Sequence, residues 1–184
     1  MFTMMNFADY ISMRILAVLA GNPGKEFYQR EIAKLAEISI GAASQKLRKL
    51  SSNGLVISKP SGRMIFYHYN LRDPVAKQLK RLLNVESLHG VVIEIKEYAE
   101  RIVLFGRYSE GTNDITNDLE LFVLTEQAEK VREIIRVFAK HSGRKVSPII
   151  LNADEFRQLR SEDKSLYRKI SKGLVLWEAE GIPI

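Results

Sequence analysis

The chain contains no cysteine. Disulfides, thiol nucleophiles and cysteine-ligated zinc are therefore excluded, and the absence fits a reducing compartment such as the cytoplasm. Histidine is scarce. His68, His89 and His141 stand apart, with no His-x-x-x-His or His-Glu-x-x-His pair to preform a zinc site. No apolar run reaches the ~18 residues of a membrane span. The first ten residues lack the basic start and apolar stretch of a secretory leader. Repeats, low-complexity tracts, and GxGxxG and Walker sequences are missing too.

What remains is an ordinary globular composition, 46% hydrophobic and 27% charged over 184 residues, a length that suits two small domains. The net charge of +6 is uneven. Residues 1–86 hold 13 basic and 6 acidic side chains, whereas residues 87–184 hold 15 basic and 16 acidic. Such asymmetry points to a polyanion-binding part joined to something else.

The first half reads as helix, short helix, helix, hairpin. Phe7, Ile11, Ile15, Leu16 and Leu19 recur at helical spacing over 7–20, and Gly21-Asn22-Pro23-Gly24 ends that helix. A shorter helix is predicted at about 29–36. Ser39 is a good N-cap for a third helix to about Ser52, with Ala43, Leu47 and Leu50 as its apolar stripe. Asn53-Gly54 closes it. Leu55 to Ser58 and Met64 to Tyr69 are predicted strands, with Lys59 to Arg63 as the turn between them. Asp73-Pro74 opens a further helix to about Leu83.

The second half starts near Val85 and mixes helices with strands. A helix is predicted over 87–100, a strand over 101–105 and a Gly/Ser/Thr/Asn-rich loop over 106–117. Residues 118–125 alternate polar and apolar, which predicts a strand with one polar face. A helix over 126–141, a strand over 146–151, a helix capped by Asn152, a helix over about 162–172 and a final strand over 174–177 follow.

The segment from Glu31 to Val56 resembles the winged helix-turn-helix regulators of bacteria and archaea. Ala33 stands where the first helix of that motif must be small, Ile38 and Ser39 form its turn, and Gly54-Leu55-Val56 enters the wing. The resemblance implies that the third helix enters the major groove of duplex DNA. The residue types agree. With the apolar stripe inward, Gln45 and Arg48 can reach base edges, Gln suiting adenine and Arg guanine. Ser44, Lys46 and Lys49 suit phosphates, Ser39 at the helix start joins the DNA-binding set, and Lys59 and Arg63 in the wing suit either a minor groove or phosphates. Two copies would read two half-sites, so a homodimer is expected, with the helices at 7–20 and 73–83 as its contact elements, the second having an interdomain connector as its alternative role.

The segment from Ile102 to Leu124 resembles the minimal nucleotidyltransferases of the polymerase β type. Gly106 and Gly111 match the family's two glycines, and Asp118 and Glu120 match its two metal-binding carboxylates. Residues two apart on a strand share a face, so both carboxylates are expected to converge. The resemblance implies Mg²⁺ with a nucleotide as cofactor, with Gly106, Arg107 and Gly111 against the phosphates and Asp118 and Glu120 on the metal. The departures are substantial. Arg107 replaces the family's Ser, Glu110 its Arg, and Glu120 the second Asp. The third carboxylate's position holds Ser147, followed by Pro148.

The expected fold class is α+β, with a winged helix-turn-helix over 1–84 and a small α/β nucleotidyltransferase-like domain with a mixed sheet over 85–184. The expected function is a cytoplasmic transcriptional regulator whose second domain has lost transfer chemistry and serves sensing or assembly. Two alternatives stay open at the level of sequence. One is a Mg-dependent nucleotidyltransferase acting on a small molecule, protein or tRNA. The other is an antitoxin-like interaction module with a protein partner.

Overall fold

The structure, a computed structural model, describes residues 9–180. The chain divides into two units, Met1–Leu83 and Asn84–Ile184. Among the described residues, no helix is long and apolar enough to cross a membrane.

In the first unit, α1 spans Tyr10–Gly21. The Asp9 side chain caps it by accepting from the Ser12 backbone N–H at 3.0 Å. Phe7, expected in this helix, lies outside the described residues. After α1 come β1 (Phe27–Tyr28), α2 (Gln29–Leu35), α3 (Ile40–Ser52), β2 (Val56–Ser61), β3 (Met64–Tyr69) and α4 (Pro74–Glu86). The three strands form an antiparallel sheet in the order β1-β3-β2. This is a winged helix-turn-helix. The two-residue strand β1 was not legible, because so short a strand has no alternation to read.

The wing is longer than expected. Ser61 pairs directly with Met64, so the turn is Gly62-Arg63 alone. Gly62 takes a φ of +60°, which the first position of such a tight hairpin asks of glycine. Lys59 and Pro60 therefore belong to β2 and not to the turn.

The core of this unit collects Ile15, Leu16 and Leu19 of α1, Ile32 and Ala33 of α2, and Ala43, Leu47 and Leu50 of α3. Phe27, Val56, Tyr67 and Tyr69 complete it from the sheet. On α4, the buried Lys80 ammonium donates to the Ala20 carbonyl at the end of α1, where the helix dipole favours a cation.

The second unit contains α5 (His89–Ile95), β4 (Arg101–Phe105), α6 (Gly106–Glu110) and β5 (Leu119–Leu124). After them come α7 (Ala128–Ser142), β6 (Val146–Leu151), α8 (Ala153–Glu162), α9 (Lys164–Ser171) and β7 (Leu174–Glu178). The sheet runs β6-β5-β4-β7, with β5 and β6 parallel and the other neighbours antiparallel. It is the expected mixed sheet, and α7 supplies the crossover that parallel strands need.

Two expectations change here. Part of the predicted loop is the short helix α6. The strand β5 has no polar face, since every residue of it except Glu120 is buried. The reason is its place in the middle of a sheet covered on both sides. Leu119, Leu121 and Val123 pack with α5 and α7 residues such as Ile95, Val131 and Ile135. Phe122 and Leu124 pack on the opposite side with Phe156 of α8 and Leu166 and Ile170 of α9. A central strand of this kind reads as a nearly continuous apolar run.

Leu47 is fully buried, whereas Gln45, two residues earlier on α3, is exposed. Leu47→Ala is expected to destabilise the first unit by about 2–5 kcal/mol. Gln45→Ala should change its stability by less than about 0.5 kcal/mol. Urea unfolding followed by circular dichroism measures both.

Candidate functional site

The helix-turn-helix is held by short polar contacts around the start of α3. Ser39 is the N-cap, its Oγ accepting from the Ala42 N–H at 3.2 Å. Gln29 at the start of α2 donates to the Ile40 carbonyl at 3.1 Å. In the turn between the helices, Glu37 has a φ of +49°, which L-residues other than Asn, Asp and Gly seldom adopt. An ion pair with Arg14 of α1 holds Glu37 in place.

The outward face of α3 presents Gln45, Arg48 and Lys49 to solvent, with Ser44 half-buried beside them. Among the described residues, none of Gln45, Arg48 and Lys49 has a side-chain hydrogen bond or ion pair in the first unit. Arg63 is equally exposed at the wing tip. Two expected phosphate contacts are engaged elsewhere. Lys46 is turned toward α1, where its Nζ lies 2.9 Å from Asp9 Oδ2. Lys59 lies along β2, its Nζ 3.0 Å from Glu26 Oε1. Exposed pairs of the second kind contribute at most about 1 kcal/mol, so Lys59 can exchange Glu26 for a phosphate at little cost. Arg30, exposed on α2 next to Gln29, is a cation that the sequence reading passed over. The bond from Gln29 to Ile40 sets the start of α2 beside the start of α3.

These contacts sort the charge of the unit. Each acidic side chain between residues 9 and 83 has a structural partner. Asp9 binds Ser12 and Lys46. Glu26 binds Lys59, and Glu37 binds Arg14. Glu31 accepts from the Tyr28 N–H, and Asp73 from the Ala76 N–H. Asp9, Glu26 and Glu37 are thus paired with cations, Glu31 and Asp73 with backbone N–H groups, and among the described residues Arg30, Arg48, Lys49 and Arg63 have no ion-pair partner.

In the second unit, the parallel pairing of β5 with β6 places Ser147 opposite Glu120. The Ser147 hydroxyl donates to Asp118 Oδ2 at 2.7 Å, and Lys145 Nζ lies 2.9 Å from the same oxygen. The Ser147 hydrogen bond and the Lys145 charge together hold the Asp118 carboxyl below the ordinary range. Glu120 is turned elsewhere. A Cβ added to Gly106 would sit 1.7 Å from Glu120 Oε2, so this carboxylate rests against the bare Cα of Gly106. The φ of Gly106, +65°, adds a second demand for glycine at that position.

The two carboxylates thus address different neighbours. Among the described residues, no group of three His, Cys, Asp or Glu is placed to hold a metal ion. Asp118 already has a cation and a donor, and Ser147 offers no charge in place of a third carboxylate.

Gly111 is the left-handed C-cap of α6, with a φ of 69°. Arg107 is exposed on α6. The loop that follows is built by its own side chains. Asp114 Oδ1 accepts from the Thr116 N–H at 2.8 Å, and Asn117 Oδ1 accepts from the Asp114 N–H at 2.8 Å. The buried Asn84 side chain donates to the Tyr108 carbonyl and to Asn113 Oδ1, both at 2.8 Å.

No protein-family model matches the chain, and no curated protein matches it. Solved structures do. A predicted DNA-binding transcriptional regulator from E. coli is 25% identical over 43% of this chain and 80% of its own, with a TM-score of 0.38. A homodimeric winged helix-turn-helix DNA-binding domain from Mycobacterium bovis is 28% identical over 45% of this chain and 72% of its own, with a TM-score of 0.37. A nominal nucleotidyltransferase from Sulfolobus solfataricus is 13% identical over 59% of this chain and 92% of its own, with a TM-score of 0.39.

Asp9 gives the first unit a pH dependence. Burial pushes its carboxyl up, but hydrogen bonds from Ser12 and Lys46 outweigh that and hold it at about 2. A carboxyl depressed in the folded state contributes stability that is full above its unfolded value, near 3.8. That contribution is lost as pH falls through the folded value. The thermal midpoint of the first unit is therefore expected to fall between about pH 4 and pH 2, and Asp9→Asn should flatten that fall. A melting series on both proteins checks it.

Proposed function

We propose that the chain is a transcriptional regulator that binds duplex DNA through α3 and the wing. The observation that carries this reading is the unpaired cationic and amide face of Gln45, Arg48 and Lys49 on a helix whose opposite side is wholly buried. Gln45 and Arg48 read base edges in the major groove. Ser44, Lys49, Arg30 and Arg63 hold phosphates. Lys59 joins them by leaving Glu26. Lys46 acts indirectly, by fixing α3 to the cap of α1. Two copies on two half-sites give the site length that specificity needs, and a reader of this kind works in the cytoplasm.

Selection from random duplex DNA tests this. An enriched motif is expected. Arg48→Ala should lose about 1–3 kcal/mol of discrimination at one base pair of it. Lys49→Ala and Arg63→Ala should weaken all sequences alike, each lowering the slope of log K against log[salt] by about 0.9. No enriched motif, or a slope near zero, sinks the reading.

The second unit, in this proposal, serves sensing or assembly without nucleotidyl transfer. The support is Asp118, held by Lys145 and Ser147, together with Glu120 against Gly106. Incubation with Mg-ATP and labelled acceptors is expected to give no transfer. Turnover that Asp118→Ala abolishes would show a working centre. Calorimetry with Mg-ATP then distinguishes a sensor from an assembly surface, since heat of binding is expected only of the sensor.

A further inference from the structure

The near-neutral balance of the second half, 15 basic against 16 acidic side chains over residues 87–184, conceals a local excess. Residues 164–172 hold four cations and no acid. They are α9 and its C-cap, Lys172. One side of this helix packs into the second unit. Ile170 is buried, Leu166 packs with it beside Val103, Phe105 and Phe122, and the half-buried Tyr167 sets its ring 5.4 Å from that of Phe156. The other side carries Lys164, Ser165, Arg168, Lys169 and Lys172, all exposed. Lys164, Arg168 and Lys172 recur every fourth residue, about 6 Å apart along the axis. Among the described residues, none of the four cations has an ion-pair partner. Arg160 of α8 extends the row, exposed and with its guanidinium 5.9 Å from the Tyr167 ring centroid. The nearest anions in sequence are Glu162 and Asp163, and Asp163 is the N-cap of α9, its Oδ1 accepting from the Leu166 N–H at 2.9 Å.

Packing does not call for this arrangement. Like charges four residues apart on a helix repel, and a lysine in the first turn opposes the helix dipole. Arg168 and Lys169 in the last turn suit that dipole, whereas Lys164 does not. A polyanion laid along the face relieves the repulsion. We propose that this face of α9 binds the phosphate backbone of duplex DNA, as a second contact beside that of α3. The proposal rests on the duplex-DNA reading of the first unit, which tethers the second unit near the same polyanion. The outward arc has no apolar side chain, which a helix seated on a membrane needs. It has lysines, an arginine and Ser165, the residue types that hold phosphate oxygens. Such contacts add affinity without sequence preference.

The test uses the full chain and a duplex of scrambled sequence, with binding followed against salt by fluorescence anisotropy. Lys164→Gln/Arg168→Gln/Lys169→Gln should lower the slope of log K against log[salt] by about 2–3, and each single substitution by about 0.9. The charge-preserving variant Lys164→Arg/Arg168→Lys/Lys169→Arg should keep the slope. The motif selected from random duplex should be the same for all of them. Glutamine and lysine have similar helix propensities, so the thermal midpoint should be unchanged in the glutamine variant. A slope indifferent to the glutamine substitutions overturns the proposal. So does polyglutamate that displaces the α9-dependent part as well as duplex does, since that marks an acidic protein surface as the occupant. Lys49→Ala/Arg63→Ala separates the two contacts. A further loss of slope when the glutamine substitutions are added to it supports α9, and no further loss overturns it. If Lys49→Ala/Arg63→Ala changes nothing while the glutamine variant does, the reading of α3 fails and that of α9 stands.

Discussion

The burial of one stripe of α3 is the constraint on which the rest of the first unit depends. Ala43, Leu47 and Leu50 recur at the spacing that keeps them on one side of a helix, and all three are fully buried. Once that side is committed to the core, the other is determined. Gln45, Arg48 and Lys49 must face solvent whatever they bind. The small residue Ala33 lets α2 approach the same core, and Ser39 starts α3 at the one position that keeps this phase. A slip of one residue would rotate Arg48 by about a quarter turn and bring a charge to the packed side. Fold and candidate function are therefore set by the same apolar contacts.

Periodicity made most of this legible. The three helices, both wing strands and the cap at Ser39 follow from local patterns. What local patterns cannot show is where a long side chain goes. Lys46 looks like a phosphate ligand on a helical wheel, yet Asp9, 37 positions away, claims it. Lys59 looks like a turn residue because Pro60 and Gly62 flank it, but the pairing of Ser61 with Met64 moves the turn beyond it. The strand β5 was misread for a related reason. Asp118 and Glu120 suggested a polar face, whereas two layers of helices, one from each side, bury everything around Glu120.

The carboxylates of the second unit are held by neighbours within the chain. Two acidic groups placed side by side repel, and a divalent cation relieves that repulsion where the ligand set is complete. Here the relief comes from within the chain. Lys145 neutralises Asp118, Ser147 donates to the same oxygen, and Glu120 settles against Gly106. Glu120 extends one methylene further than an aspartate, and it rests in the space that the missing Cβ of Gly106 leaves open. The motif-bearing glycine and carboxylate thus explain each other without any ligand.

The charge imbalance between the two halves gains a structural meaning from the ion pairs. A surplus of cations by itself says little, since cations scattered among acids cancel locally. In residues 9–83 the acids are fixed one by one. Asp9, Glu31 and Asp73 cap helices, and Glu26 and Glu37 tie the wing and the turn to neighbouring elements. The ion pairs of Asp9, Glu26 and Glu37 offset three of these anions with Lys46, Lys59 and Arg14. Arg30, Arg48, Lys49 and Arg63, exposed and without ion-pair partners among the described residues, add unpaired positive charge to this unit. The ion pairs that tie α1, the turn and the wing together thereby leave the outward residues of α3 unengaged.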